Sequence, residues 1–111
     1  MAFTAYHNIT GSTGVNIELI APGLDAGSIN SIVIANTHDT ADATVSLFIQ
    51  DDPISGTTNT FYILSTVAIP SDTSLLLDNK SMLSFDNISS SAYGLYLTVG
   101  SSDTLDVMIN T

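Results

Sequence analysis

The stretch Tyr93-Gly94-Leu95-Tyr96-Leu97-Thr98-Val99, then Gly100-Ser101-Ser102-Asp103, then Thr104-Leu105-Asp106-Val107-Met108-Ile109 decides the fold class. Leu95, Leu97 and Val99 alternate with Gly94, Tyr96 and Thr98, and Leu105, Val107 and Ile109 alternate with Asp106 and Met108. Alternation at period two is the mark of a half-buried strand, and a Gly/Ser/Asp turn between two such runs predicts a hairpin.

The same period extends upstream. Ile29-Asn30-Ser31-Ile32-Val33-Ile34-Ala35-Asn36 is rich in β-branched residues and reads as a central strand, ended by the turn chemistry of Asn36-Thr37-His38-Asp39. Val45, Leu47 and Ile49 alternate with Ser46, Phe48 and Gln50 until Asp51-Asp52-Pro53 stops the run. In the next segment Phe61, Ile63, Val67 and Ile69 are expected on one face and Tyr62, Leu64, Thr66 and Ala68 on the other, up to Pro70. Leu75-Leu76-Leu77 and Met82-Leu83-Ser84-Phe85 flank Asp78-Asn79-Lys80-Ser81 and predict a further hairpin. Val15, Ile17 and Leu19 form a short strand before Ala21-Pro22-Gly23, and residues 1–12 supply an N-terminal arm or edge strand. Pro22, Gly23 and Gly27 disfavour more than one helical turn nearby. The expectation is an all-β, single-domain antiparallel β-sandwich or small barrel over residues 1–111, with eight or nine short strands.

Charge narrows the function classes. Lys80 is the only basic residue besides two histidines, against eleven acidic residues of which ten are aspartate, for a net charge of −10. Nucleic-acid binding, anion recognition and attachment to acidic membranes all draw on Lys and Arg clusters, so none of these partners is expected. Aspartate favours turns and caps, which places the charges between strands. A folded chain of this mass exposes on the order of 5,800 Å², putting net charges about 24 Å apart, beyond the ~8 Å Debye length at physiological salt. Self-repulsion is therefore modest and solubility is the main consequence.

There is no cysteine, which removes disulfides, thiol nucleophiles and thiolate metal sites and suits assembly in a reducing cytoplasm. Met1-Ala2-Phe3-Thr4-Ala5-Tyr6 lacks the basic n-region and apolar run of a secretory signal.

No catalytic motif with arguable geometry is present, so an enzyme is not expected, and no cofactor is implied. The densest cluster of ligating residues is His38-Asp39-Thr40-Ala41-Asp42. His38, Asp39 and Asp42 are candidate metal ligands, the carboxylates suiting Ca²⁺ and the imidazole Zn²⁺. With no EF-hand spacing or paired histidine motif, the expected role is a solvated turn capped by Asp39 or Thr40, with His38 packed flat. Asp51-Asp52 and Asp103 with Asp106 are read as turn residues in the same way.

Phe48, Tyr62 and Tyr96, with Leu64 and Met108, fall opposite the main apolar stripe. Such a surface serves strands buried on both faces, a subunit interface, or a ligand platform. Phe3, Tyr6, Phe48, Tyr62, Leu64 and Tyr96 are the candidate interface residues.

The runs Ser28 to Asn36, Ala43 to Ile49, Phe61 to Leu64, Val67 to Pro70 and Ser74 to Leu77, with the ending Tyr93 to Leu97 and Leu105 to Ile109, resemble the small virion proteins of tailed bacteriophages, particularly marine phages. The resemblance spans about residues 15–110, rests on hydrophobic spacing and strand order, and transfers no functional residue. It implies an immunoglobulin-like or jelly-roll sandwich located in the virion after synthesis in the host cytoplasm. The implied role is a capsid decoration protein on the major capsid protein lattice, self-associating in the particle, or otherwise a neck, tail or fibre component. A carbohydrate-binding module is the alternative from a different class.

Overall fold

A computed structural model of the chain describes residues 4–11, 16–22, 29–38, 40–51, 59–81, 83–85, 93–100 and 103–110, with residues 4–6 described by backbone alone. Eight strands follow one another: β1 (Thr4–Thr10), β2 (Ile17–Ile20), β3 (Ser31–Asn36), β4 (Ala43–Asp51), β5 (Thr60–Ile69), β6 (Ser74–Leu77), β7 (Tyr93–Val99) and β8 (Thr104–Asn110). They form two antiparallel four-stranded sheets, ordered β1-β8-β3-β6 (sheet A) and β2-β7-β4-β5 (sheet B). The pairing is nested, first strand with last, second with seventh, third with sixth and fourth with fifth. Eight strands so arranged in two sheets have the strand order of a jelly roll, so the sandwich takes the second of the two topologies expected.

The alternating residues meet where the sheets face each other. Ile32 and Ile34 of β3 and Leu105, Val107 and Ile109 of β8 pack from sheet A against Val45 and Leu47 of β4 and Leu95, Leu97 and Val99 of β7. β3 lies between β8 and β6, in the interior position its β-branched run predicts.

Both expected hairpins around the chain's second half are corrected. The backbone turns at Gly100, where the Asp103 N–H donates to the Gly100 carbonyl at 3.1 Å, yet β7 continues into sheet B and β8 into sheet A. The turn is a corner between layers, and each strand finds its partners far away in sequence. Likewise β6 pairs with β3, and Ser84 and Phe85 are not strand. Asp78–Ser81 is a turn, with the Ser81 N–H donating to Asn79 Oδ1 at 3.0 Å. Leu83 beyond it is a core plug, buried with the strand residues; Met82 lies outside the described residues.

β5 also departs from strict alternation. Val45 pairs with Val67, Leu47 with Leu64 and Phe48 with Tyr62, so β5 carries one extra residue around Ser65–Thr66 and another at Ile63. Thr66 adopts the left-handed region (φ 52°), and its N–H donates to Ser46 Oγ at 2.9 Å across the bulge. Because directly paired residues share a face, Leu64 joins the core-facing row with Leu47, while Tyr62 joins Phe48 on the outside.

A buried polar clasp ties the layers together. Asn36, at the end of β3 and 3% exposed, donates from Nδ2 to the carbonyls of Ala41 and Ile69, each at 2.9 Å, and accepts the His38 N–H on Oδ1 at 3.0 Å. One side chain thus closes the β3–β4 turn and binds the end of β5 in the opposite sheet.

Candidate functional site

Strand register lines up one residue from each strand of sheet B on its outer face. Glu18 of β2 pairs with Tyr96 of β7, Tyr96 with Phe48 of β4, and Phe48 with Tyr62 of β5. The row spans three inter-strand spacings, about 14 Å. Phe48 and Tyr96 stack at 5.9 Å between ring centroids and 16° between planes, and Phe48 meets Tyr62 at 5.2 Å and 44°. The Tyr96 hydroxyl donates to Glu18 Oε2 at 3.3 Å, which satisfies the polar end of a nearly buried ring.

Exposure grades along the row. Tyr96 is 6% and Phe48 3% exposed, while Tyr62 at the edge is 60% exposed. Neither Phe48 nor Tyr96 belongs to the core cluster between the sheets. The inner part of the row is a structural spine, and its edge is a free aromatic surface. Phe61, next to Tyr62 on β5, is 57% exposed and lies 5.9 Å from the Tyr93 ring, but it pairs with the inward Ile49 and so stands on the opposite face of the strand from Tyr62. The neighbouring outer rows are polar, with Ser46 beside Thr98 and Gln50 beside Thr60, where Gln50 Nε2 donates to Thr60 Oγ1 at 3.0 Å.

Of the six interface candidates, Phe48, Tyr62 and Tyr96 therefore form one row. Leu64 is turned toward the core by the Ile63 bulge and is not part of it. Tyr6 stands in register with Met108 in sheet A, on the other side of the sandwich, and Phe3 lies outside the described residues. Met108, too, is an outer residue of sheet A, in the row of Val33 and Leu76. Phe61 stands on the apolar inner face, where its alternation places it, and its position on an edge strand leaves it half in solvent.

The His38 turn is built differently from the expectation. His38 caps it: Nδ1 accepts the N–H groups of Thr40 and Ala41, both at 3.1 Å. That ring nitrogen is thereby committed to the backbone. Asp42 is exposed and Asp39 lies outside the described residues. Among the described residues no group of three or more histidine and acidic side chains gathers to hold a metal ion.

Asp51 and Asp103 hold turns, whereas Asp106 lies within β8, which corrects its reading as a turn residue. Asp51 accepts the backbone N–H and the side-chain amide of Asn59 at 2.8 and 2.9 Å, clamping the base of the β4–β5 hairpin. Asp103 Oδ2 accepts the Thr44 N–H at 3.1 Å, and Asp106 Oδ1 accepts from Asn8 Nδ2 at 2.7 Å; Asp52 lies outside the described residues. Chemically, the site offers one exposed ring, Tyr62, set on two buried rings, with hydroxyl and amide flanks and one carboxylate at its far end. In comparisons with known proteins, the chain matches no family model, no curated protein and no solved structure.

Proposed function

We propose that this chain is a non-enzymatic structural protein of a tailed-phage virion, a capsid decoration protein that docks through the outer face of sheet B on the major capsid protein lattice. The observation that carries the reading is the graded aromatic row. Its inner rings, Tyr96 and Phe48, hold a rigid base, and Tyr62 projects from it into solvent. Pre-organised aromatic area with polar flanks is the composition of a protein-binding patch. The jelly-roll strand order supports the reading as one shared by viral capsid domains, though also by lectins, and topology alone does not assign a role. The sequence resemblance supports the virion setting, and self-association in the particle belongs to the same proposal.

The test is the copy number of the chain per purified phage particle, by quantitative mass spectrometry against the major capsid protein. Hundreds of copies support decoration, a few to a few tens move the chain to the neck, tail or fibres, and absence from particles overturns the virion reading. Tyr62→Asp, at an exposed position, is expected to empty capsids of the protein while the isolated chain stays folded.

A carbohydrate-binding reading draws on the exposed Tyr62 ring beside the Gln50–Thr60 amide and hydroxyl. A glycan array run with and without chelator addresses it, and no binding at millimolar sugar removes it.

A further inference from the structure

Four strands border the two sheets, and three of them are poor templates for another strand. β2 has four residues, a bulge between Glu18 and Ile20, and Pro22 close behind. β6 has four residues and is followed at once by Asp78. β5 is long but carries two bulges, the left-handed Thr66, and Pro70 at its end. Bulges, shortness, proline and charge are the devices that blunt a sheet edge. β1 has none of them. All seven residues, Thr4 to Thr10, pair with β8 in unbroken register, without proline or a charged carboxylate or ammonium group, in a chain of net charge −10. Among the described residues β1 has a strand on one side only.

The phase of the ladder is fixed by its flanking bonds. The Gly11 N–H donates to the Asp103 carbonyl at 2.8 Å, and the Thr37 N–H donates to the Thr104 carbonyl at 3.1 Å. Odd-numbered residues of β8 therefore bond to β1 and even-numbered ones to β3, which leaves the backbone N–H and C=O of Thr4, Tyr6, Asn8 and Thr10 directed away from the sheet. One antiparallel register between two copies of β1 uses all four: Thr4 opposite Thr10 and Tyr6 opposite Asn8, with His7 opposite His7 on a twofold axis. It forms about eight backbone hydrogen bonds.

An independent observation marks the same point. His7 shares the core-facing row of Val107, Ile34 and Leu75, and its buried Nε2 has no hydrogen-bond partner among the described residues. In the twofold register His7 falls at a non-hydrogen-bonded pair, where Cα atoms approach to about 4.5 Å and side chains are closest.

We infer that β1 is a homodimerisation edge, at which two copies of this chain join antiparallel about His7 to make one continuous eight-stranded sheet. Charge does not oppose a second copy at this edge, because the nearest acidic strand positions across the axis, the two Asp106 residues, stand three strand spacings apart, about 14 Å, beyond the ~8 Å Debye length. The inference is independent of the aromatic row on sheet B.

The experiment is analytical ultracentrifugation of the full chain across a wide concentration range, joined to cysteine cross-linking, for which the cysteine-free sequence is a clean background. The mass is expected to rise from 11.6 kDa to twice that value with concentration. With diamide as oxidant, H7C chains are expected to form a disulfide dimer. I9C chains alone are not, but I9C mixed with A5C is, because those positions face each other in the register. Asn8→Pro, which removes an outward N–H, is expected to weaken dimerisation at least tenfold, whereas Asn8→Ala leaves it nearly unchanged. A chain that stays at 11.6 kDa throughout, or I9C cross-linking with itself as fast as H7C, overturns the inference.

Discussion

Replacing Asn36 with alanine tests whether the sandwich is clasped by one amide. The substitution strips partners from the Ile69 carbonyl, whose bond is buried, and from the Ala41 carbonyl and His38 N–H, whose bonds are partly buried. A buried group left unsatisfied costs about 1–3 kcal/mol, and a partly buried one about half that because water reaches it. Together these give a loss of about 2–6 kcal/mol, centred on about 4, a large fraction of the roughly 5–15 kcal/mol available to a domain. At ~2.1 cal/mol/K of unfolding entropy per residue, 111 residues convert each kcal/mol into about 4 °C, so Tm is expected to fall by about 17 °C for the central value. Calorimetry supplies the number, and urea unfolding with an unchanged m-value shows that the native state, not the denatured ensemble, is responsible. Asn36→Asp sharpens the test, since it preserves shape but aims a carboxylate at two carbonyl oxygens; it is expected to be worse than alanine at neutral pH. A loss below about 0.5 kcal/mol for Asn36→Ala, the range of an ordinary surface change, would refute the clasp.

The aromatic row is expected to divide by exposure: Phe48→Ala loses about 3–5 kcal/mol by urea unfolding, like any buried phenylalanine, while Tyr62→Ala loses no more than about 1 kcal/mol. For the same reason Tyr96→Asp is expected to unfold the protein rather than merely disarm its surface, which circular dichroism will register. Gly94→Ala places a Cβ 2.6 Å from the Ile20 carbonyl oxygen and 2.8 Å from Pro22 Cδ, so β2 must move off β7 at a cost of about 1–3 kcal/mol, visible as faster amide exchange in β2. Thr66→Gly relieves a β-branched residue of its left-handed backbone and is expected to raise stability by up to about 1 kcal/mol in thermal melts.

Period-two spacing made the strands legible, and β3, β4, β7 and β8 lie where Ile32, Val45, Leu95 and Val107 place them. Pairing was not legible. A Gly-Ser-Ser-Asp turn closes with the same hydrogen bond whether the next strand returns to its neighbour or crosses to the other layer, and alternation reports a face, never a sheet. The bulges of β5 were hidden too, because Ile63 and Leu64 are equally apolar; the polar pair Ser65–Thr66 was the one local sign of an interruption. Among site residues, Phe48, Tyr62 and Tyr96 were found because strict alternation holds on β4 and β7 and at the start of β5. The gradient of burial along them was not, since it depends on which strand lies at the sheet edge. Asn36 and His38 read as turn residues, and their hydrogen bonds show why: both bind backbone at the turn, one from inside the core and one from the surface.

The nested pairing also dictates an order of events during synthesis. Thr10 pairs with Thr104 and Thr4 with Asn110, so β1 leaves the ribosome long before its partner exists. At the usual ~5–20 residues per second, the intervening chain takes roughly 5–20 s to make, whereas the β4–β5 hairpin can close as soon as residue 69 emerges. Translation therefore builds this sandwich from its middle outward, and the last ladder to zip is the one that joins the first strand made to the last.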